Sequence, residues 1–171
     1  MNEPPQKIGK GMIYAAWIVV LGLLTLFFNH FIDKQNNPNQ TVTGQYHQDG
    51  TREVILQRNR SGHYVASGMI NSQPVVFLLD TGATMISIPE PIARRLNLAR
   101  GTPLLANTAN GTITTYNTQL DHVALGPIEL HNVRASINPH MFTEEILLGM
   151  SFLKQLDLTQ RGDTLTLRQY P

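Results

Sequence analysis

Hydrophobic and polar positions divide the 171-residue chain into three stretches. Residues 11–28, GMIYAAWIVVLGLLTLFF, contain no charge, and Phe31 and Ile32 carry the apolar character on to Asp33. No polar face interrupts the run, so it predicts a helix that seeks an apolar medium on every side. About twenty such residues cross a bilayer core, which assigns 11–32 as a transmembrane anchor. Residues 33–50, DKQNNPNQTVTGQYHQDG, are rich in Asn and Gln and poor in large apolar side chains. They predict a polar linker without a core of its own. From residue 51 to 171 the pattern becomes short β-type segments separated by turn signals.

Those segments read in order. EVILQRN and HYVASGMI are two strands, and Asn71-Ser72 is a hairpin turn leading into the strand PVVFLLD. TMISI follows, then a helix in PEPIARRLNLA. Its first turn tolerates proline, and Ile92, Ala93 and Leu96 share one face. Two strands flank Asn110-Gly111, the strongest short hairpin signal. IELHNVRASI alternates as a strand, EEILLGM is another, and SFLKQLDL predicts a short helix with Ser151 as its cap. DTLTLRQ closes the chain. The outcome is an all-β domain with two short helices, of a size that supports one core.

Charge and composition add limits. A formal net charge of +1 leaves no basic footprint for nucleic acid, and the absence of cysteine excludes disulfides and thiolate chemistry. Lys7 and Lys10 precede the apolar run, while Asp33 and Lys34 cancel after it. The positive-inside rule then puts residues 1–10 in the cytoplasm and predicts that the β domain is exported across the membrane. The exit from the run, FFNHFIDK, is bulky, whereas a cleaved signal peptide needs small residues there. An uncleaved anchor is expected.

The chemistry centres on PVVFLLDTGATMISIP, residues 74–89. Five apolar residues run into Asp80, and a carboxylate at the end of a buried strand costs heavily unless partnered. Taken alone, Asp-Thr-Gly favours a tight turn in which Asp80 accepts hydrogen bonds and Gly82 supplies unusual backbone angles. By chance it occurs in roughly one chain of this length in thirty. Its surroundings shift the balance. VVFLLDTGAT resembles the active-site signature of aspartic proteases, and Ala83 matches the retroviral kind. ILLGMSFLKQLDL, residues 146–158, resembles the family's second element, an apolar pair followed by glycine and a short helix. From Gly62 to Gln169 the chain is similar to membrane-anchored, retropepsin-like proteases of bacteria.

That resemblance implies a retropepsin-like closed β-barrel lobe behind one transmembrane helix in the inner membrane, with the lobe periplasmic or extracytoplasmic. It implies an aspartic endopeptidase that hydrolyses peptide bonds with a water molecule held between two carboxylates. The chain offers one such motif, so the second would come from a homodimer partner. Asp80 is the expected catalytic residue, and Thr81, Gly82 and Ala83 support its loop. Asn110, Gly111 and Thr112 would form a flap over a peptide or protein substrate. Leu147, Leu148 and Gly149 would belong to the supporting strand. The alternative is a non-catalytic, membrane-tethered β-module that binds peptide in the same groove.

Other patterns carry less. His122, His131 and His140 recur every nine residues on separate strands or loops, without metal-ligand spacing. They read as solvent-facing, and no metal or cofactor is expected. No nucleophile elbow surrounds Ser151. Arg161-Gly162-Asp163 reads as a hairpin turn.

Overall fold

The computed structural model describes residues 9–108 and 111–171. Helix α1 spans Lys10–Asn36. None of its residues is buried, and it is the one helix among the described residues long and apolar enough to cross a membrane. The remaining elements are, in order, β1 (Gly44–Tyr46), β2 (Arg52–Gln57), β3 (Val65–Ile70), β4 (Gln73–Leu79), β5 (Ile86–Pro89), α2 (Glu90–Arg95), β6 (Pro103–Thr108), β7 (Gly111–Leu125), β8 (Ile128–Asn138), β9 (Ile146–Leu148), α3 (Met150–Leu153), β10 (Asp157–Arg161) and β11 (Thr164–Gln169). The fold is therefore mostly β with few short helices.

A seven-stranded sheet runs β3-β4-β9-β5-β8-β7-β6, and a further pairing of β3 with β7 joins Met69 to Ala124 and Ile70 to Val123. That pairing closes six strands into a barrel and leaves β6 as an outer edge. Inside lie Phe77, Ile86, Ile88, Leu120, Ile137, Ile146 and Leu148, and α3 adds Phe152 and Leu153. Each such side chain contributes about 1.5–3 kcal/mol on leaving water. A second sheet, β1-β2-β11-β10, covers the barrel and adds Val54, Leu56, Leu165 and Leu167 to the core.

Local chemistry explains the hairpins. Asn71 and Ser72 take φ values of 48° and 64°, the left-handed pair that a two-residue turn between twisted strands requires. Gly162, at φ 58°, does the same between β10 and β11.

Several elements differ from the sequence reading. The polar stretch 33–50 is not a free tether. Asp33–Asn36 continue α1, and Gly44–Tyr46 pair with β2. The Asn39 side chain is buried, donates to the Gln57 and Val65 carbonyls at 2.9 and 2.7 Å, and accepts from the Gln57 N–H at 2.8 Å. This one amide, together with Val42 packed against the core, holds the segment to the domain. Helix α2 ends at Arg95. The second predicted helix stops at Leu153, because Asp157 and Leu158 pair with Arg168 and Leu167 of β11. Ser151 is no cap. Gly149 holds that position, and the Ser151 hydroxyl accepts the Ile86 N–H at 3.0 Å.

Candidate active site

Strands β4 and β5 are neighbours in sequence but not in the sheet, since β9 lies between them, parallel to β4 and antiparallel to β5. The connecting residues 80–85 must therefore cross the end of β9. This crossing sets the geometry of the site. Asp80 leaves β4 with its N–H donating to the Leu148 carbonyl at 3.2 Å, and Met150 N–H donates to the Ala83 carbonyl at 2.8 Å. Gly149 sits under the crossing. A methyl group there would lie 2.3 Å from the Met85 carbonyl oxygen and 2.6 Å from that of Ala83. Only glycine lets the loop lie against the end of β9.

Asp80 is half-buried in the single chain, less enclosed than the preceding apolar run predicts. In β4 only Val75 and Phe77 are fully inside, while Val76, Leu78 and Leu79 are partly exposed. The Asp80 Oδ1 accepts the Gly82 N–H at 2.8 Å. Gly82 does not take a left-handed backbone angle. Its tightness is one of proximity, because a methyl group there would approach Oδ1 to 3.1 Å. Thr81 is exposed, and Ala83 is half-buried.

Opposite the loop stands the β6–β7 hairpin. Between them is a cleft of about 690 Å³, lined by Asp80, Gly82 to Met85 and Leu147 on one side and by Leu104 to Thr108 and Ile113 on the other. Among the described residues that line it, Asp80 is the one carboxylate. Gly111, at φ 112°, and Thr112 stand at the hairpin's outer end, and the Thr112 hydroxyl donates to Asn107 Oδ1 at 2.9 Å. Asn110 lies outside the described residues. Leu147 faces the cleft, whereas Leu148 is buried beneath the loop.

Sequence reasoning missed two contributors. Ser151 fixes the start of β5 through its hydroxyl, and the exposed Leu105 adds an apolar surface to the cleft. Neither carries a local signal, because each matters only through a distant strand. His122 and His131, expected to face solvent from separate strands or loops, are paired across β7 and β8.

Comparison with known proteins places these features in context. The family described as "gag-polyprotein putative aspartyl protease" matches residues 66–155. A Sinorhizobium protein described as "Uncharacterized protein in cobV 5'region" is 28% identical over 176 residues, covering 95% of this chain and 75% of its own. A crystal structure of a retropepsin-like aspartic protease from Rickettsia conorii superimposes with a TM-score of 0.57 at 25% identity, covering 75% of this chain and 95% of that one. EIAV protease in complex with the inhibitor HBY-793 aligns with a TM-score of 0.47 at 20% identity, covering 58% of this chain and 92% of that one.

Proposed function

The chain belongs to the gag-polyprotein aspartyl protease family, and from that premise we propose that it is a membrane-anchored aspartic endopeptidase whose working unit is a homodimer. The observation that carries this reading is the single carboxylate, Asp80, in a cleft large enough for an extended peptide. Hydrolysis by this chemistry needs two. Two carboxylates in close contact do not both ionise, so such a pair holds one proton between them. The ionised member takes a proton from the trapped water, whose oxygen attacks the peptide carbonyl. The protonated member donates to the carbonyl oxygen. The tetrahedral intermediate then collapses as its nitrogen is protonated and the C–N bond breaks. The pair titrates as a unit.

A twofold axis beside Asp80 supplies the second acid from an identical chain. The exposed Thr81 hydroxyl would link the two loops, and Gly82, lacking a side chain, would let them approach. The hairpin carrying Asn110, Gly111 and Thr112 would act as the flap. Its strand β6 is a sheet edge, so a substrate can add to it as a further strand through main-chain hydrogen bonds.

Residues 11–32 of α1 would cross the inner membrane, with residues 1–10 cytoplasmic and the protease domain, 51–171, in the periplasm. Two anchored chains meet in a thin layer, which raises their effective concentration. Detergent-solubilised full chain incubated with unfolded casein across about pH 4 to 8 tests the assignment. Wild type cleaves and Asp80→Asn does not, and excess Asp80→Asn chain suppresses wild-type activity by forming mixed pairs. Cleavage that survives in Asp80→Asn refutes the enzyme. Binding of casein without cleavage by wild type selects the peptide-binding module. Activity indifferent to the inactive chain refutes the shared dyad.

A further inference from the structure

Strict alternation places every second residue of a strand on the same face. Near the middle of β7 and β8 this alternation slips. The inward residues are Leu120 and Val123 on β7, and Leu130 and Val133 on β8, three apart in each case. Both slips lie at the same height, since Leu120 pairs with Val133 and His122 with His131. Asn132 takes a left-handed φ of 55° there. His122 and His131 are thereby turned out of the core as a directly opposed pair, with ring centroids 5.0 Å apart and planes inclined by 30°. Glu129 lies two residues before His131 and shares its face, with its Oε2 3.8 Å from His122 Nε2.

We propose that His122, Glu129 and His131 form a binding site for a borderline divalent cation, zinc(II) by preference. The donor set is two imidazoles and one carboxylate, which zinc accepts while leaving a fourth position open. One ligand atom from each residue lies within 4.8 Å of the others. Tetrahedral zinc holds its ligand atoms about 3.4 Å apart, so side-chain rotations that close the set by an ångström or so complete the geometry.

The supporting backbone is already fixed. His122 N–H donates to Asn71 Oδ1 at 3.0 Å, and Asn71 N–H donates to the His122 carbonyl at 2.9 Å. Gln169 holds Glu129 in the same way, accepting its N–H at 3.3 Å and donating to its carbonyl at 2.9 Å. A cleft of about 360 Å³ beside Glu129 and His131 leaves room for a solvent ligand. One group opposes the cation. Arg52 Nη1 is 3.8 Å from the same Glu129 oxygen and donates to the Pro127 carbonyl at 3.1 Å. Zinc would take Glu129 from this guanidinium and clamp β7 to β8, about 20 Å along β7 from the cleft of Asp80.

The test is equilibrium dialysis of the untagged full chain, in detergent micelles, against zinc chloride, with cobalt(II) absorption as a second readout. One zinc per chain is expected, with a micromolar or tighter dissociation constant. His122→Ala, His131→Ala and Glu129→Gln each weaken it by about tenfold or more without altering the melting temperature of the metal-free protein. His140→Ala leaves binding unchanged. Arg52→Gln tightens it, because a like charge is removed. Absence of bound zinc, or affinity unmoved by the three ligand substitutions, overturns the site. Weaker binding in Arg52→Gln overturns Glu129 as a ligand. Should a histidine variant fail to fold, cobalt bound to wild type decides. Intense tetrahedral bands support the site, and a weak octahedral spectrum refutes it.

Discussion

The two ends of β4 look alike in sequence and do opposite work. Just before its start, Asn71 sits in a two-residue turn, and its side-chain oxygen accepts the N–H of His122 on the distant strand β7. At its end, Asp80 also accepts a backbone N–H on its side-chain oxygen, from Gly82. Asn71 connects strands that are hydrogen-bonded neighbours, and its side chain and N–H tie their turn to β7. Asp80 begins a connection to a strand that β9 holds apart from β4, and the loop is stretched over Gly149. An acceptor side chain thus ties a finished hairpin to a third strand in one place and presents a carboxyl group to a cleft in the other. Asp49, accepting the Thr51 N–H at 2.9 Å, makes the same local contact as Asp80, but between the paired strands β1 and β2. What separates a turn from a candidate active site is the strand inserted beneath it.

Substitutions at these positions sharpen the contrast, and the largest effect belongs to the loop. Asp80→Asn keeps the acceptor for the Gly82 N–H, so its melting temperature should stay close to wild type. Casein cleavage should fall by about a thousandfold or more. An equal loss of stability would make Asp80 a structural turn residue. Gly149→Ala should come next. Its methyl group meets two backbone carbonyls that cannot rotate away, a strain of about 1–3 kcal/mol readable by urea unfolding. Activity should fall with it, because the loop must shift.

Asn71→Ala should lose about 1–2 kcal/mol, since alanine is poorly suited to the left-handed angle, yet cleavage by the folded fraction should remain at the wild-type level. Reduced turnover in that fraction would show that the turn and the site are coupled.

Asp49 gives the smallest effect and calibrates the others. Hydrogen bonds from Thr51 hold its carboxyl below the ordinary carboxylate range. Because the folded value lies below the unfolded one, the contribution is present above about pH 4 and fades as the pH falls through the folded value. Asp49→Ala should lower the melting temperature slightly at neutral pH and not at all in strong acid. A deficit that persists in acid would point to packing rather than to the charge.

Legibility followed the range of the interactions involved. The Asn71-Ser72 and Arg161-Gly162-Asp163 turns were readable because a turn's backbone angles are set by its own residues. SFLKQLDL was half misread, since Leu158 obeys its pairing with Leu167 rather than its helical spacing. Asn39 was passed over because a polar residue in a polar stretch gives no sign of being buried. The histidines were dismissed for lying on separate strands, yet a shared register makes them neighbours.

The apolar helix, the alternating strands, the hairpin turns and a single Asp-Thr-Gly are legible along the chain, because each has its physical cause within a few adjacent residues. Long-range packing alone sets β9 between β4 and β5, joins β3 to β7 to close the barrel, and brings His122, Glu129 and His131 together. Those outcomes depend on which distant strands pair and in what register. Such pairing is selected by the joint burial of both partners' side chains, which no local stretch encodes.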